Sequence, residues 1–327
     1  MPTDYCGLRR PCLPAFTAVQ HSLWRMYSVF VRATADRSSL SRLNLVIGQR
    51  LTLKTRYRHF RTALARECSR MTETLLTNLG AIVLLMSSLW LMSLFLRDVS
   101  IVDPFWGTGF AVVAWTSVVI QRSNDARMIL LAVMTTIWGL RLSLYLLWRN
   151  WGQGEDRRYV AMREHQGKRF WWFSYISVFL LQGLILWFVS LPLQAAAATS
   201  SNNPFGIVDA IGVILWGIGV LFELVGDWQL ARFKADTANK GRVMDRGLWR
   251  YTRHPNYFGD ICVWWGLYLV AAAGGAWWTI LSPALMTFFL MRVSGVTLLE
   301  KTIVDRRPDY ADYIKRTNAL FPGPPRT

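Results

Sequence analysis

Cysteine is sparse in this 327-residue chain: Cys6, Cys12, Cys68 and Cys262 are all it has, and none stands in a CxxC pair. That excludes a disulfide framework and leaves no zinc or iron–sulfur spacing. Histidine is as rare. His21, His59, His165 and His254 show no HxxxH or HExxH pattern, so no metal site is expected. A glycine-rich nucleotide loop is missing too. Gly217 and Gly219 lack the third glycine of GxGxxG and sit inside an apolar run, which excludes a Rossmann domain as cofactor holder. Charged residues make up only 17% of the chain, too few for a disordered protein.

What is abundant is apolar and aromatic surface: 53% hydrophobic residues, with 17 Trp and 17 Phe. Length alone would suggest about two soluble domains. Several apolar runs, however, approach the roughly 20 residues that cross a bilayer. The fold class expected is therefore all-α, a polytopic membrane helix bundle of about seven transmembrane helices. The candidate spans are 75–96, 101–120, 128–148, 171–191, 205–228, 258–273 and 277–292. Only Gly274-Gly275-Ala276 separates the last two, which predicts a tight helical hairpin. Asn202-Asn203-Pro204 marks a turn before the fifth.

The net charge of +17 comes from 37 Lys+Arg against 20 Asp+Glu. In a polytopic chain such an excess reports cytoplasmic loops rather than nucleic acid. Segment 149–170 carries six Lys/Arg, 229–257 seven, the tail after 292 six, and 192–204 none. These counts place 149–170, 229–257 and the C-terminus in the cytoplasm, and 192–204 outside. Residues 1–70 hold 13 Lys+Arg and 3 Asp+Glu, with no secretory apolar core and cleavage site. Seven spans with an inside C-terminus put residue 71 outside, which conflicts with so basic a segment before it. A presequence, a basic tail and an extension upstream of a start at Met71 all fit the composition. The third is favoured, and the chemistry is expected in 71–327, with the cofactor-binding half at about 205–323.

Asp103, Arg141, Glu223 and Asp227 fall within the apolar spans. Ionisable groups at membrane depth are costly and mark a functional interior unless they snorkel from helix ends. The densest chemistry lies in Gly247-Leu248-Trp249-Arg250-Tyr251-Thr252-Arg253-His254-Pro255-Asn256-Tyr257-Phe258-Gly259-Asp260, between the fifth and sixth spans. Pro255 biases His254 away from helix, and the loop feeds a helix start whose free N–H groups favour anions. This is the chemistry of a site for a planar, phosphate-bearing ligand. Lys234, Arg250 and Arg253 suit phosphate pairing. Trp249, Tyr257 and Trp264 suit covering an adenine or nicotinamide ring.

The Arg253-to-Asp260 block resembles the signature of the membrane steroid 5-alpha-reductase family, most closely its prokaryotic-type branch, the DUF1295 proteins. Ser100-Ile101-Val102-Asp103-Pro104-Phe105-Trp106-Gly107, Trp138-Gly139-Leu140-Arg141-Leu142 leading to Gly152 through Tyr159, and Glu300 with Tyr310, Tyr313 and Pro322 extend the likeness over about 75–323. The resemblance implies a seven-helix enzyme that binds NADPH and reduces a carbon–carbon double bond conjugated to a carbonyl. It implies cofactor contacts from Arg141, Tyr145, Asp227, Asn256, Asp260, Trp264 and Arg292; the His254 imidazole is a further candidate donor by its place in the loop. For catalysis it implies Asp103 where the family places a Glu. The family Tyr position holds Trp138, which donates one N–H but cannot protonate, and Tyr145 is a stand-in.

Two other classes stay open. One is a membrane methyltransferase using S-adenosylmethionine, like the isoprenylcysteine carboxyl methyltransferases, which share an Arg-His-Pro-x-Tyr loop. Their tail carries a Glu-Glu pair, whereas this one reads Leu299-Glu300-Lys301. The other is a non-enzymatic protein whose loop binds a lipid headgroup or a partner. The partners expected are the bilayer and a lipophilic small-molecule substrate, with no nucleic acid and no obligatory protein partner.

Overall fold

The computed structural model describes residues 39–199, 203–293, 300, 303, 307 and 309–326. Most of the basic extension, with Cys6, Cys12 and His21, lies outside the described residues, as does Asn202 of the expected turn. The chain divides into two units, Met1–Ala65 and Arg66–Thr327, and the candidate site belongs wholly to the second. Every regular element among the described residues is helical. In order these are α1 (Ser39–Leu96), α2 (Phe105–Gln121), α3 (Ala126–Asn150), α4 (Arg157–Gln166), α5 (Phe170–Ser174), α6 (Leu181–Val189), α7 (Leu191–Ala198), α8 (Ile207–Ala235), α9 (Pro255–Ala271), α10 (Leu281–Phe288) and α11 (Tyr310–Arg316).

Five helical stretches are long and apolar enough to cross a membrane: Arg61–Leu96, Ala126–Asn150, Arg157–Val189, Ile207–Ala235 and Pro255–Arg292. The chain is thus a membrane protein by architecture, with five such stretches where the sequence suggests seven. The expected span 101–120 becomes α2, which begins only after Pro104 and has 17 residues. At 1.5 Å per residue it reaches about 25 Å, short of the roughly 30 Å hydrocarbon layer. The expected spans 258–273 and 277–292 fall within one 38-residue stretch. Gly275, with φ 108°, breaks that stretch. Trp265 on α9 donates to Thr287 on α10 at 3.2 Å, so the two halves lie side by side.

Burial is inverted relative to a water-soluble bundle. Phe95, Val119 and Leu144 are exposed, while Arg127, Asp209, Glu223 and Asp227 are buried. Apolar faces meet lipid and ionisable groups face inward, the arrangement expected when the surrounding solvent is hydrocarbon. Local signals set the helix starts. Asp125 caps α3 by accepting from Arg127 N at 2.8 Å. Asp156 caps α4 by accepting from Arg158 N at 2.9 Å. Asp209 Oδ2 accepts from Gly206 N at 2.9 Å ahead of α8, and Pro255 opens α9 after a non-helical His254 (φ −137°, ψ 65°).

The tightest packing joins α8 to α9. Gly212, Gly219 and Gly226 recur every seventh residue on α8 and face Gly266, Gly259 and Pro255 on α9. A seven-residue repeat keeps one stripe against one neighbour, and small residues let the backbones approach, the device that replaces hydrophobic driving force inside lipid. Arg127 on α3 pairs with Asp209 on α8 through Nε–Oδ1 at 2.7 Å and Nη2–Oδ2 at 3.1 Å, both groups buried. In the middle of the unit Phe110, Trp138 and Trp264 form a fully buried cluster, with centroids 4.4 to 5.8 Å apart.

The glycine stripe carries a direct test. A Cβ on Gly219 would stand under 3 Å from backbone of α9, whereas one on Gly217 meets nothing within 4 Å. Gly219→Ala is expected to destabilise the detergent-solubilised protein by about 1–3 kcal/mol, as overpacking does. Gly217→Ala should leave the unfolding midpoint unchanged or slightly raised. Equal midpoints for the two variants would remove the close approach.

Candidate functional site

Glu223 and Asp227 stand four residues apart on α8, so they share one helix face. Arg141 of α3 reaches between them. Its Nη1 donates to Glu223 Oε2 and its Nη2 to Asp227 Oδ2. Trp138, one turn earlier on α3, donates Nε1–H to Glu223 Oε1 at 2.9 Å. Exposures of 3% for Glu223, 9% for Asp227 and 12% for Arg141 show the cluster to be nearly dry. A buried pair survives only where geometry and extra hydrogen bonds offset lost hydration, and the Trp138 N–H supplies one of them.

A third carboxylate joins from α9. Asp260 lies within electrostatic reach of Glu223, Asp227 and Arg141, and its buried Oδ1 has no hydrogen-bond partner among the described residues. Four residues on, Trp264 Nε1 is buried and unpartnered as well. An unsatisfied buried polar atom costs roughly 1–3 kcal/mol, so an acceptor and a donor left open on one face of one helix mark a place for a ligand. Tyr145, one turn after Arg141, holds its ring 5.8 Å from both the Arg141 and the Arg149 guanidinium carbons.

Asp103 accepts a hydrogen bond from Tyr159 Oη at 2.9 Å and another from Arg158 Nη2 at 3.1 Å. The Tyr159 oxygen accepts from Gln182 Nε2 at 3.1 Å, and Gln182 Oε1 accepts from Trp106 Nε1 at 2.7 Å. This chain draws α2, α4 and α6 together. Arg149, at the end of α3, connects the two clusters: Asp103, Tyr145, Asp227, Lys234 and Tyr257 all lie within its electrostatic reach. The Asp103 group and the Asp227 group therefore both lie within the field of Arg149.

The motif loop is packed down rather than splayed. Arg253 is buried and forks onto Glu300 (Nε–Oε1 2.7 Å, Nη2–Oε2 3.0 Å), while its Nη1 donates to the carbonyls of Ile314 and Thr317. His254 Nε2 lies 3.0 Å from Glu300 Oε1, and its ring stacks on Tyr257 at 5.3 Å. Trp249 donates to the Gly226 carbonyl at 3.0 Å. Tyr313 donates to the Trp249 carbonyl. Trp249, Arg253 and His254 thus have their polar atoms occupied inside the protein, tying α8, the loop and the C-terminal segment together. Lys234 and Arg250 are exposed. Asn256, Tyr257, Asp260 and Trp264 continue along α9 on the side of the carboxylates. Arg292 is exposed after α10, and no hydrogen bond among the described residues joins it to the cluster.

Four participants went unassigned at the level of sequence. Glu223 is visible there as an intramembrane acid but without a partner. Tyr159 and Glu300 lie in stretches already singled out, with nothing local to give them a role. Arg149 counts there only as one of six loop cations. What unites them is tertiary contact across more than 40 residues, which no local pattern encodes.

A family model described as "Protein of unknown function (DUF1295)" matches residues 89–317, which include every residue of this site. An uncharacterized protein of Schizosaccharomyces pombe is 26% identical over 267 residues, covering 72% of this chain and 75% of its own length. No solved structure matches.

Glu300 makes the loop's attachment testable by pH. Burial pushes its carboxyl up, but hydrogen bonds from His254 and Arg253 outweigh that and hold it below its ordinary range. A carboxyl lowered by folding contributes stability above its unfolded pKa and loses it as pH falls through the folded value. Glu300→Gln is expected to cost roughly 2–3 kcal/mol at neutral pH, the scale of charged hydrogen bonds. The gap to wild type should close below about pH 4. A pH-independent gap in unfolding midpoint would contradict the assignment.

Proposed function

We propose that this chain, which belongs to the DUF1295 family, is an integral membrane oxidoreductase that uses NADPH to reduce a conjugated carbon–carbon double bond in a lipophilic enone or sterol-like substrate. The observation that carries this reading is the buried cluster of Arg141 with Glu223, Asp227 and Asp260, lined by the open acceptor of Asp260 and the open donor of Trp264. The likeness of the motif loop to the steroid 5-alpha-reductase family supports it independently.

The residues suit a nicotinamide nucleotide. A carboxamide offers both an N–H donor and a carbonyl acceptor, the complement of Asp260 Oδ1 and Trp264 Nε1. Tyr145 and Tyr257 supply ring faces, and Arg149, Lys234 and Arg250 supply cations for phosphates at the exposed end. When bound, NADPH supplies a hydride. The protein's own share is positioning, exclusion of water by the aromatic cluster, and a proton-bearing group for the charge that develops on a substrate oxygen. That last role falls to Asp103 and Tyr159, joined by the 2.9 Å hydrogen bond. Arg158 and Gln182 hold the pair in place.

Two measurements test this. Thermal unfolding of the detergent-solubilised protein should shift upward with NADPH and not with S-adenosylmethionine. A ligand at a hundred times its Kd stabilises by about 2.7 kcal/mol. Trp264→Phe, which keeps an aromatic ring but removes the open N–H, should shrink the NADPH shift. A shift with S-adenosylmethionine alone would move the assignment to methyl transfer, and indifference to both would remove the enzyme reading. Turnover, followed as NADPH oxidation with a lipid extract and mass spectrometry of the product, gives the second measurement. Tyr159→Phe and Asp103→Ala are each expected to lower kcat by about 10²-fold or more, the scale of general acid catalysis, while Asp103→Asn retains a donor. Wild-type rates in Asp103→Ala and Tyr159→Phe would exclude the pair from the chemistry.

A further inference from the structure

A hollow of about 310 Å³ lies where α8 leaves the apolar region, lined among others by Trp228, Arg232, Phe233, Met244 and Arg246. It is not part of the carboxylate site. At about 100° per residue, Arg232 lies roughly 140° around α8 from Asp227. The Arg232 guanidinium carbon sits 5.6 Å from the Trp228 ring. Neither Arg232 nor Arg246 has a carboxylate or hydrogen-bond partner among the described residues. The one carboxylate on the wall, Asp236, is already engaged. Its Oδ1 accepts from Ala238 N at 2.9 Å and its Oδ2 from Asn239 Nδ2 at 3.2 Å. Two cations thus line a concavity whose single carboxylate pairs with neither of them, leaving one net positive charge on the wall.

The same face of α8 continues away from the hollow as a lipid-facing stripe. Ile214 (62% exposed), Ile218, Leu221 (61%), Val225 and Trp228 (57%) follow at alternating spacings of four and three, and Arg232 is the next residue in that series. A long apolar track therefore ends in an aromatic ring and two unpaired guanidiniums, the order in which an acyl chain, an interface and a phosphate are met on leaving a bilayer. Phe233 and Met244 give the hollow itself an apolar wall.

We propose that this hollow binds the headgroup of an anionic phospholipid, with one acyl chain laid along the exposed stripe of α8. Charge complementarity selects an anionic headgroup over a zwitterionic one, and the stripe selects a lipid over a free phosphate, which has no use for it. Arg232 and Arg246 make charge-assisted hydrogen bonds to the phosphodiester, and Trp228 packs on the glycerol region. The site does not depend on the enzymatic reading, because neither Asp227 nor Asp260 lines it.

The test is native mass spectrometry of the full chain released from detergent in the presence of phosphatidylglycerol, phosphatidylcholine or inorganic phosphate. Wild type should retain phosphatidylglycerol about tenfold over phosphatidylcholine, given the attraction of each cation near an anionic headgroup. The preference should weaken as salt rises. R232Q/R246Q should bring the ratio to about one, and R232K/R246K should keep most of it. Both side chains are exposed, and the unfolding midpoint of each variant, with and without NADPH, reports folding and the cofactor site separately. Unchanged phosphatidylglycerol retention in R232Q/R246Q overturns the proposal. So does binding of inorganic phosphate without any preference for the anionic lipid.

Discussion

The ion-pair clamp of Arg141 between Glu223 and Asp227 is the constraint to which the rest of the site answers. A lone guanidinium or carboxylate at that depth would lose its hydration with nothing to replace it, so each member is tolerable only because the others are present. The clamp sets the rotation of α3 and α8 about their own axes. Trp138 is then turned onto Glu223, and its ring forms the wall against which Trp264 and Phe110 pack. Polar chemistry and aromatic core are therefore one structure: the indole that fills space also satisfies a carboxylate.

The glycine stripe explains how α9 can bring a third acid so close. With Gly219 against Gly259, the backbones of α8 and α9 approach until a Cβ at either position would overlap the other helix. Only at that separation does Asp260, the residue after Gly259, come within reach of Glu223 on the facing helix. The loop before α9 is held by a different device, the fork of Arg253 and the imidazole of His254 on Glu300. The approach of α9 to α8 is thus set by absent side chains, and its N-terminal end is held by fully engaged ones.

Much of this was legible in the amino-acid order, and the part that was not has a physical reason. The apolar runs announce a helical membrane protein because length and composition alone decide which segments lipid accepts. The loop around Arg253 and His254 is recognisable because its chemistry is contiguous. Its role is not, since phosphate pairing and internal bracing require the same residue types. The outcome turns on Glu300, 47 residues downstream of Arg253. Span counting is less sharp at α2, where Pro104 delays the helix start and leaves 17 residues, whereas the break at Gly275 between α9 and α10 falls in the Gly274-Gly275-Ala276 turn that the sequence marks. Tyr159 is invisible as a partner of Asp103 for the same reason as Glu300: the hydrogen bond joins segments 56 residues apart.

Arg127–Asp209 and Arg141–Glu223 have a joint consequence. On α3 the two arginines are 14 residues apart, and on α8 the two acids are also 14 apart. These helices therefore run in the same direction, in register, and are bolted together at two heights about 21 Å apart. Such a double latch behaves like the frame of a window rather than a pair of swinging doors. Parting α3 from α8 would strand charge in hydrocarbon at both bolts. Any movement between the elements of this bundle is therefore left to helices joined by van der Waals packing alone.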